Sequence, residues 1–169
     1  MKNIVLAGFM GTGKTAVSRE LSRLLNMRSV DADAEIEATQ HMTINEIFRD
    51  FGEARFREIE TEMIKKISRE ENLIISTGGG AVLREENMQA LRENGIIFCL
   101  TADPATILER TRGNDDRPLL KVADPLGKIT ELLSCRRPFY EKAGESIDTE
   151  NKSPLQIAEE IAEIFRCRK

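Results

Sequence analysis

Apolar residues in this chain fall into two patterns. Short continuous runs are separated by longer stretches in which apolar positions recur every three or four residues. Ile4-Val5-Leu6-Ala7 is the first run and is closed by glycines. It predicts a strand buried on both faces, as in a parallel sheet. From Lys14 onward Val17, Leu21, Leu24 and Leu25 recur at helical spacing, with Arg19, Glu20 and Arg23 between them. Residues 28–31 form a second short strand. Residues 35–68 are charged, with apolar residues at helical intervals and a break at Gly52. Residues 73–76 predict a third strand, ending in Thr77-Gly78-Gly79-Gly80. Residues 85–93 read as helix, stopped by Gly95. Residues 96–100 predict a fourth strand, and Pro104 opens a helix to about Thr111.

Residues 112–124 break the pattern with Gly113, Asn114, Asp115, Asp116 and Pro118. They predict a mobile loop, a candidate lid. Pro125 opens a further helix that ends before Gly144. Residues 146–149 form a weak last strand, and Pro154 starts a terminal helix with Leu155, Ile157, Ile161 and Ile164. Alternating strands and helices predict an α/β fold with a parallel sheet. No internal repeat or linker divides the 169 residues, so one domain over residues 1–169 is expected.

Composition narrows the function classes. A net charge of −4 argues against a protein that coats nucleic acid, although local arginines can still bind an anionic substrate. Cys99, Cys135 and Cys167 are far apart, and His41 is the only histidine, so a Cys/His zinc site is not expected. Reduced thiols suit a cytoplasmic protein. The first apolar run is too short to span a membrane, and no membrane association is expected.

Residues 8–15, GFMGTGKT, match GxxxxGK[ST] between a strand and a helix. Such a loop turns backbone N–H groups toward phosphate oxygens, and the following helix adds its positive end. Lys14 reaches the β- and γ-phosphates, and the Thr15 hydroxyl can ligate Mg²⁺. An ordinary glycine-rich turn rarely places all eight positions this way. The motif specifies phosphate binding and leaves the acceptor open.

Other segments are less specific. Asp31 and Asp33, read as an extended chain, would project the same way, one toward a metal and one toward a substrate hydroxyl. A charged turn opening a helix explains them as well. Gly78, Gly79 and Gly80 follow a strand, at the edge where open α/β sheets bind ligands, or they form a plain flexible turn. Arg57, Arg117 and Arg136 stand out among the basic residues. Most surface arginines have no specific role, but Arg117-Pro118 inside a candidate lid suits a cation over a transferring phosphoryl group. The scattered Met and Phe are expected in the core, and His41 at a loop or helix end.

Together these pieces resemble the shikimate kinase family from end to end. They are residues 8–15, Asp31-Ala32-Asp33, Gly52-Glu53 with Phe56-Arg57 and Glu60, Thr77 to Gly80, Arg117-Pro118-Leu119-Leu120, and Arg136-Arg137-Pro138-Phe139-Tyr140, in the family's order. The resemblance implies a three-layer, nucleoside-monophosphate-kinase-like P-loop fold with a five-stranded parallel sheet in order 2-3-1-4-5 and a mobile lid at about 112–124. It implies transfer of the ATP γ-phosphate to the 3-hydroxyl of shikimate, in aromatic amino-acid biosynthesis.

By matching position, a shikimate-binding segment is expected at about 33–61. Asp33 would hold substrate hydroxyls and assist proton removal. Arg57 and Arg136 would bind the carboxylate, and Gly79 would donate its N–H. Gly11, Thr12, Gly13, Lys14, Thr15 and Ala16 would surround the phosphates. Arg117 would close over ATP, and Arg110 and Ser153 would lie near adenine. Thr15 and Asp31 would serve Mg²⁺. The resemblance further implies a monomer. The chain departs from the family pattern at Ala32, usually Ser, at His41, often Gly, and near Ser153, where a basic residue is common.

Three rival readings are weaker. A GTPase would need Asp after Asn151-Lys152, and Asp124-Pro125-Leu126-Gly127 follows no strand. A non-catalytic regulator would not need Lys14, Asp33, Arg57, Arg117 and Arg136 together. A gluconate or nucleoside-monophosphate kinase would carry a different set of acceptor-binding residues.

Overall fold

The computed structural model describes residues 2–112 and 122–168. Five parallel strands form one sheet in the order β2-β3-β1-β4-β5. They are β1 (Asn3–Gly8), β2 (Arg28–Asp31), β3 (Leu73–Ser76), β4 (Gly95–Thr101) and β5 (Glu145–Asp148). The helices are α1 (Lys14–Leu25), α2 (Ala32–Gln40), α3 (Ile44–Ile67), α4 (Glu85–Asn94), α5 (Pro104–Thr111), α6 (Pro125–Ala143) and α7 (Pro154–Cys167). Strand order, parallel pairing and flanking helices agree with the sequence reading.

Central β1 is buried at every position. Its two-residue alternation feeds two cores. Ile4 and Leu6 pack with Val17 and Leu21 of α1 and Ile157, Ile161 and Phe165 of α7. Val5 and Ala7 face the opposite layer, with Ile36 of α2, Ile64 of α3, Leu91 of α4 and Ile129 of α6. Each fully buried Ile or Leu removed from water contributes about 1.5–3 kcal/mol. A continuous apolar strand is therefore needed wherever helices cover both faces.

Several local expectations change. Residues 35–68 form two helices, because His41 adopts φ 55° and ends α2, and Thr43 then caps α3 in a reciprocal box with Glu46. Gly52, with φ 81° and ψ 171°, interrupts α3 as expected. Leu24 and Leu155 are 39% and 43% exposed, so they lie outside the core despite their helical spacing. Phe51 and Phe139 are likewise exposed, whereas Met27, Met63 and Met88 are buried. His41 sits at a helix end, as expected. Among the described residues, no helix is long and apolar enough to cross a membrane.

The carboxyl ends of all five strands point to one edge. Beyond that edge lie the residues 8–15 loop, the Asp31–Asp33 turn and the glycine run after β3. The amino ends are tied by Asn3. Its amide donates to the Glu70 carbonyl at 2.7 Å and accepts from the Leu73 N–H at 2.9 Å, in a side chain 1% exposed. Asn3→Ala strands both backbone partners, so urea unfolding at neutral pH should show a loss of about 1–3 kcal/mol. An unchanged midpoint would contradict this role.

Candidate active site

The phosphate-binding end is built by the turn from β1 into α1. Gly11 and Gly13 hold φ of 78° and 95°, which a side chain would oppose. Gly13 is the N-cap of α1 and offers no side-chain cap, so the first helical N–H groups face outward without such a partner. Thr12 is 1% exposed, and its hydroxyl bonds the Phe9 carbonyl at 2.8 Å, which fixes the loop from inside. Lys14 Nζ folds back onto the Gly8 and Phe9 carbonyls at 2.7 and 3.0 Å. Thr15 is exposed on the first turn of α1. This arrangement can bind a phosphate chain through backbone donors, one ammonium and one hydroxyl.

Asp31 and Asp33 do not share an extended segment. β2 ends at Asp31, whose Oδ1 accepts the N–H groups of Asp33 and Ala34 at 3.0 and 3.2 Å and caps α2. Asp33 lies in the first turn of α2. Of the two readings, an extended pair and a charged turn that opens a helix, the structure shows the second: the helix cap redirects the chain. Asp33 nevertheless reaches the site, because its Oδ1 would lie 2.9 Å from a Cβ placed at Gly78. That oxygen is buried and has no hydrogen-bond partner among the described residues. Burial raises the Asp33 pKa to about 6, assisted by the negative charges of Asp31 and Glu60 and opposed by Lys14 and Arg57.

On α3, Arg57 and Glu60 stand one turn apart. Arg57 Nη1 donates to Glu60 Oε2 at 2.7 Å, and Nη2 reaches Glu53 at 3.3 Å. The Glu60 side chain is only 1% exposed. Burial pushes the Glu60 carboxyl up, while Arg57, Arg84 and Arg136 draw it down. For Arg57, burial opposes the charge, but Glu60 and Glu53 outweigh it and raise its pKa. A Cβ at Gly80 would overlap the Arg57 guanidinium, so glycine is required for this approach. The second Glu60 oxygen, Oε1, has no partner among the described residues and faces Gly78.

From α6, the Arg136 guanidinium stacks over the Phe9 ring, 5.7 Å from its centroid. Four residues later Tyr140 donates from its hydroxyl to the Gly79 carbonyl at 2.6 Å. Burial raises the Tyr140 pKa to about 12, although Arg136 pulls against it. The structure thus gathers Asp33, Arg57, Gly79 and Arg136 around the glycine run and the first peptides of the P-loop. Glu60 and Tyr140 belong to the same constellation, although sequence reasoning gave neither a role. The available signals were their spacings of three from Arg57 and four from Arg136.

Arg110 and Ser153 lie apart from this cluster. Arg110 binds Thr149 through its hydroxyl at 3.0 Å and its carbonyl at 3.2 Å. The Ser153 hydroxyl caps α7 by accepting the Gln156 N–H at 3.2 Å. Arg117 and most of the expected lid lie outside the described residues. A cavity of about 440 Å³ borders the P-loop through Phe9 and Thr12, but Asp33, Arg57, Gly79 and Arg136 do not line it. The converging charges thus lie outside the lining of this cavity.

A P-loop at the carboxyl edge of a parallel sheet, facing a carboxylate and two arginines, defines a P-loop kinase of small molecules. Comparison with known proteins makes the assignment particular. A shikimate kinase family model matches residues 10–166. The shikimate kinase of Thermodesulfovibrio yellowstonii is 52% identical over 95% of this chain and 93% of its own. That of Caldicellulosiruptor bescii is 46% identical over 100% and 98%. The shikimate kinase of Acinetobacter baumannii, solved in complex with shikimate, superposes with a TM-score of 0.95 at 35% identity, covering 100% of this chain and 95% of its own. The chain belongs to the shikimate kinase family.

The raised Asp33 pKa has a measurable consequence for stability. Unfolding returns the carboxyl to its ordinary value of 3.8. The unfolded chain then binds fewer protons between roughly pH 4 and 6, and the native state bears the cost of the buried charge above that window. Asp33→Asn should raise the Tm of the ligand-free protein at pH 8 by roughly 3–10 °C, an advantage that disappears below about pH 4. A lower Tm for Asp33→Asn at pH 8 would contradict this picture.

Proposed function

We infer that this protein transfers the γ-phosphate of ATP to the 3-hydroxyl of shikimate, releasing ADP and shikimate 3-phosphate. The observation that carries this reading is the convergence of Asp33, Arg57, Gly79 and Arg136 beside the P-loop. A kinase for a neutral polyol would not require two arginines there. A planar guanidinium matches a carboxylate through paired bonds, and two arginines from separate helices can hold one end of the ring. The other end then turns toward Lys14 and the phosphates.

Each residue has a part in this mechanism. Backbone N–H groups of Gly11, Gly13, Thr15 and Ala16 receive the phosphate oxygens, while Thr12, whose N–H and hydroxyl both hold the Phe9 carbonyl, shapes the loop around them. Lys14 leaves its carbonyl partners to follow charge onto the β- and γ-phosphates as it develops. Asp33 accepts bonds from the substrate hydroxyls and takes the proton of the attacking one. Its pKa of about 6 leaves it largely ionised at neutral pH and still a useful base. The Gly79 N–H donates to the substrate. Arg110, held by Thr149, supplies a planar face near adenine, beside the Ser153 turn. Arg117 closes over ATP with the lid.

Mg²⁺ fits the donors present. Among the described residues no group of three His, Cys, Asp or Glu side chains could hold a metal. Magnesium bound to nucleotide needs only one or two protein oxygens, with water and phosphate completing its shell. The Thr15 hydroxyl and, through water, Asp31 would hold it, and its charge would offset that developing on the phosphates. The same reading places the enzyme in the cytoplasm as a monomer.

Arg57→Ala and Arg136→Ala test the carboxylate clamp. Each should raise the KM for shikimate by about 30-fold or more, as expected when a partly buried anion loses a charged partner, while the KM for ATP changes little. Shikimate methyl ester should be a poor substrate for the parent protein and lose much less further activity in either variant. Equal phosphorylation of ester and acid by the parent protein would remove the clamp and the preference for shikimate with it.

A further inference from the structure

We propose that Tyr140 is a positioning residue that sets the Gly79 peptides and fixes the register of the Arg136 helix against them. The inference deepens the shikimate reading and rests on it for its kinetic consequence. The three glycine carbonyls after β3 are satisfied in different ways. Gly78 O accepts from Ala81 N–H and Gly80 O from Leu83 N–H, both at 3.1 Å within the turn. Gly79 O accepts from the Tyr140 hydroxyl at 2.6 Å, across 61 residues of chain. The bond from Ala81 orients the peptide that carries the Gly79 N–H. The bond from Tyr140 orients the next peptide. Glycine resists rotation poorly, so both planes need an external hold to present a fixed N–H.

The surroundings suit this role. Tyr140 is 7% exposed, and its high pKa keeps the hydroxyl a donor at every working pH. A Cβ at Gly79 would meet Gly8 O at 3.5 Å, Met10 N at 3.6 Å and Tyr140 Oη at 3.6 Å. The glycine run therefore lies in contact with both the P-loop and α6. Arg136 stands one helical turn before Tyr140, with its guanidinium over Phe9. One hydroxyl bond thus connects the element carrying an arginine of the clamp to the element carrying the substrate-facing N–H. Distortion of that bond would move both contacts together, because side chains four apart on a helix share a face.

Tyr140→Phe removes the hydroxyl and keeps the ring. The shikimate KM should rise by about tenfold, as expected for loss of one buried hydrogen bond that orders the site, while the ATP KM stays within about twofold. Amide exchange at Ala81 and Leu83, whose N–H groups bond the Gly78 and Gly80 carbonyls, should accelerate in the ligand-free variant as the glycine run loosens, independently of any substrate. Combining Tyr140→Phe with Arg136→Lys should cost less than the product of the single effects, because both act on one placement. Unchanged shikimate KM with unchanged exchange overturns the proposal. So does an equal rise in both substrates' KM values accompanied by a large fall in Tm, which marks a purely structural role. If the parent protein fails to phosphorylate shikimate while exchange still accelerates, the substrate reading falls and the positioning role stands.

Discussion

Glu60 lies 1% exposed beneath the glycine run, 2.7 Å from the Arg57 guanidinium. A lone carboxylate at that depth would carry a desolvation cost of several kcal/mol, and the guanidinium offsets it only while both groups hold their places. The pair fixes Arg57 toward Gly80, and the missing Cβ at Gly80 admits it. Beside Asp33, whose pKa burial already raises, Glu60 pushes that pKa further up and Arg57 pulls it down. Placement of Arg57 against the glycine run thus depends on one buried ion pair, whose two members also border Asp33.

The fold explains how such a pair can form from ordinary elements. Parallel strands align their carboxyl ends, so the loops after β1, β2 and β3 meet without long excursions. The sheet between two apolar layers holds their spacing. α3 then crosses the substrate end, with Gly52 relieving its path and Thr43 setting its start. α6, in the same layer as α3, brings Arg136 and Tyr140. In the proposed mechanism phosphate binding uses mainly backbone, whereas acceptor binding uses side chains from three helices. That division lets one P-loop architecture serve many acceptors.

Much of this was legible in the sequence. The β1 run and the P-loop declared themselves because burial on both faces and tight glycine turns leave few alternatives. Strand order was implied by resemblance to the family, and the structure agrees. The Asp31–Asp33 turn was harder, since spacing alone could not choose between an extended pair and the helix-opening turn that the structure shows. Leu24 and Leu155 were placed on apolar stripes that extend past the actual contacts. Glu60 received no role because an Arg–Glu pair three residues apart reads as an ordinary surface ion pair until its burial is known, and Tyr140 because it acts on a backbone carbonyl 61 residues away. Arg117 carried a strong sequence expectation, but it lies outside the described residues.

The central claim is that the charge arrangement at the glycine run selects shikimate as phosphoryl acceptor. ADP release by the purified protein, followed in a coupled assay with shikimate, gluconate and AMP offered separately with ATP and Mg²⁺, tests it most directly. The account predicts rapid release with shikimate and only background rates with the other two. Comparable turnover on gluconate or AMP, or none on shikimate, would contradict it.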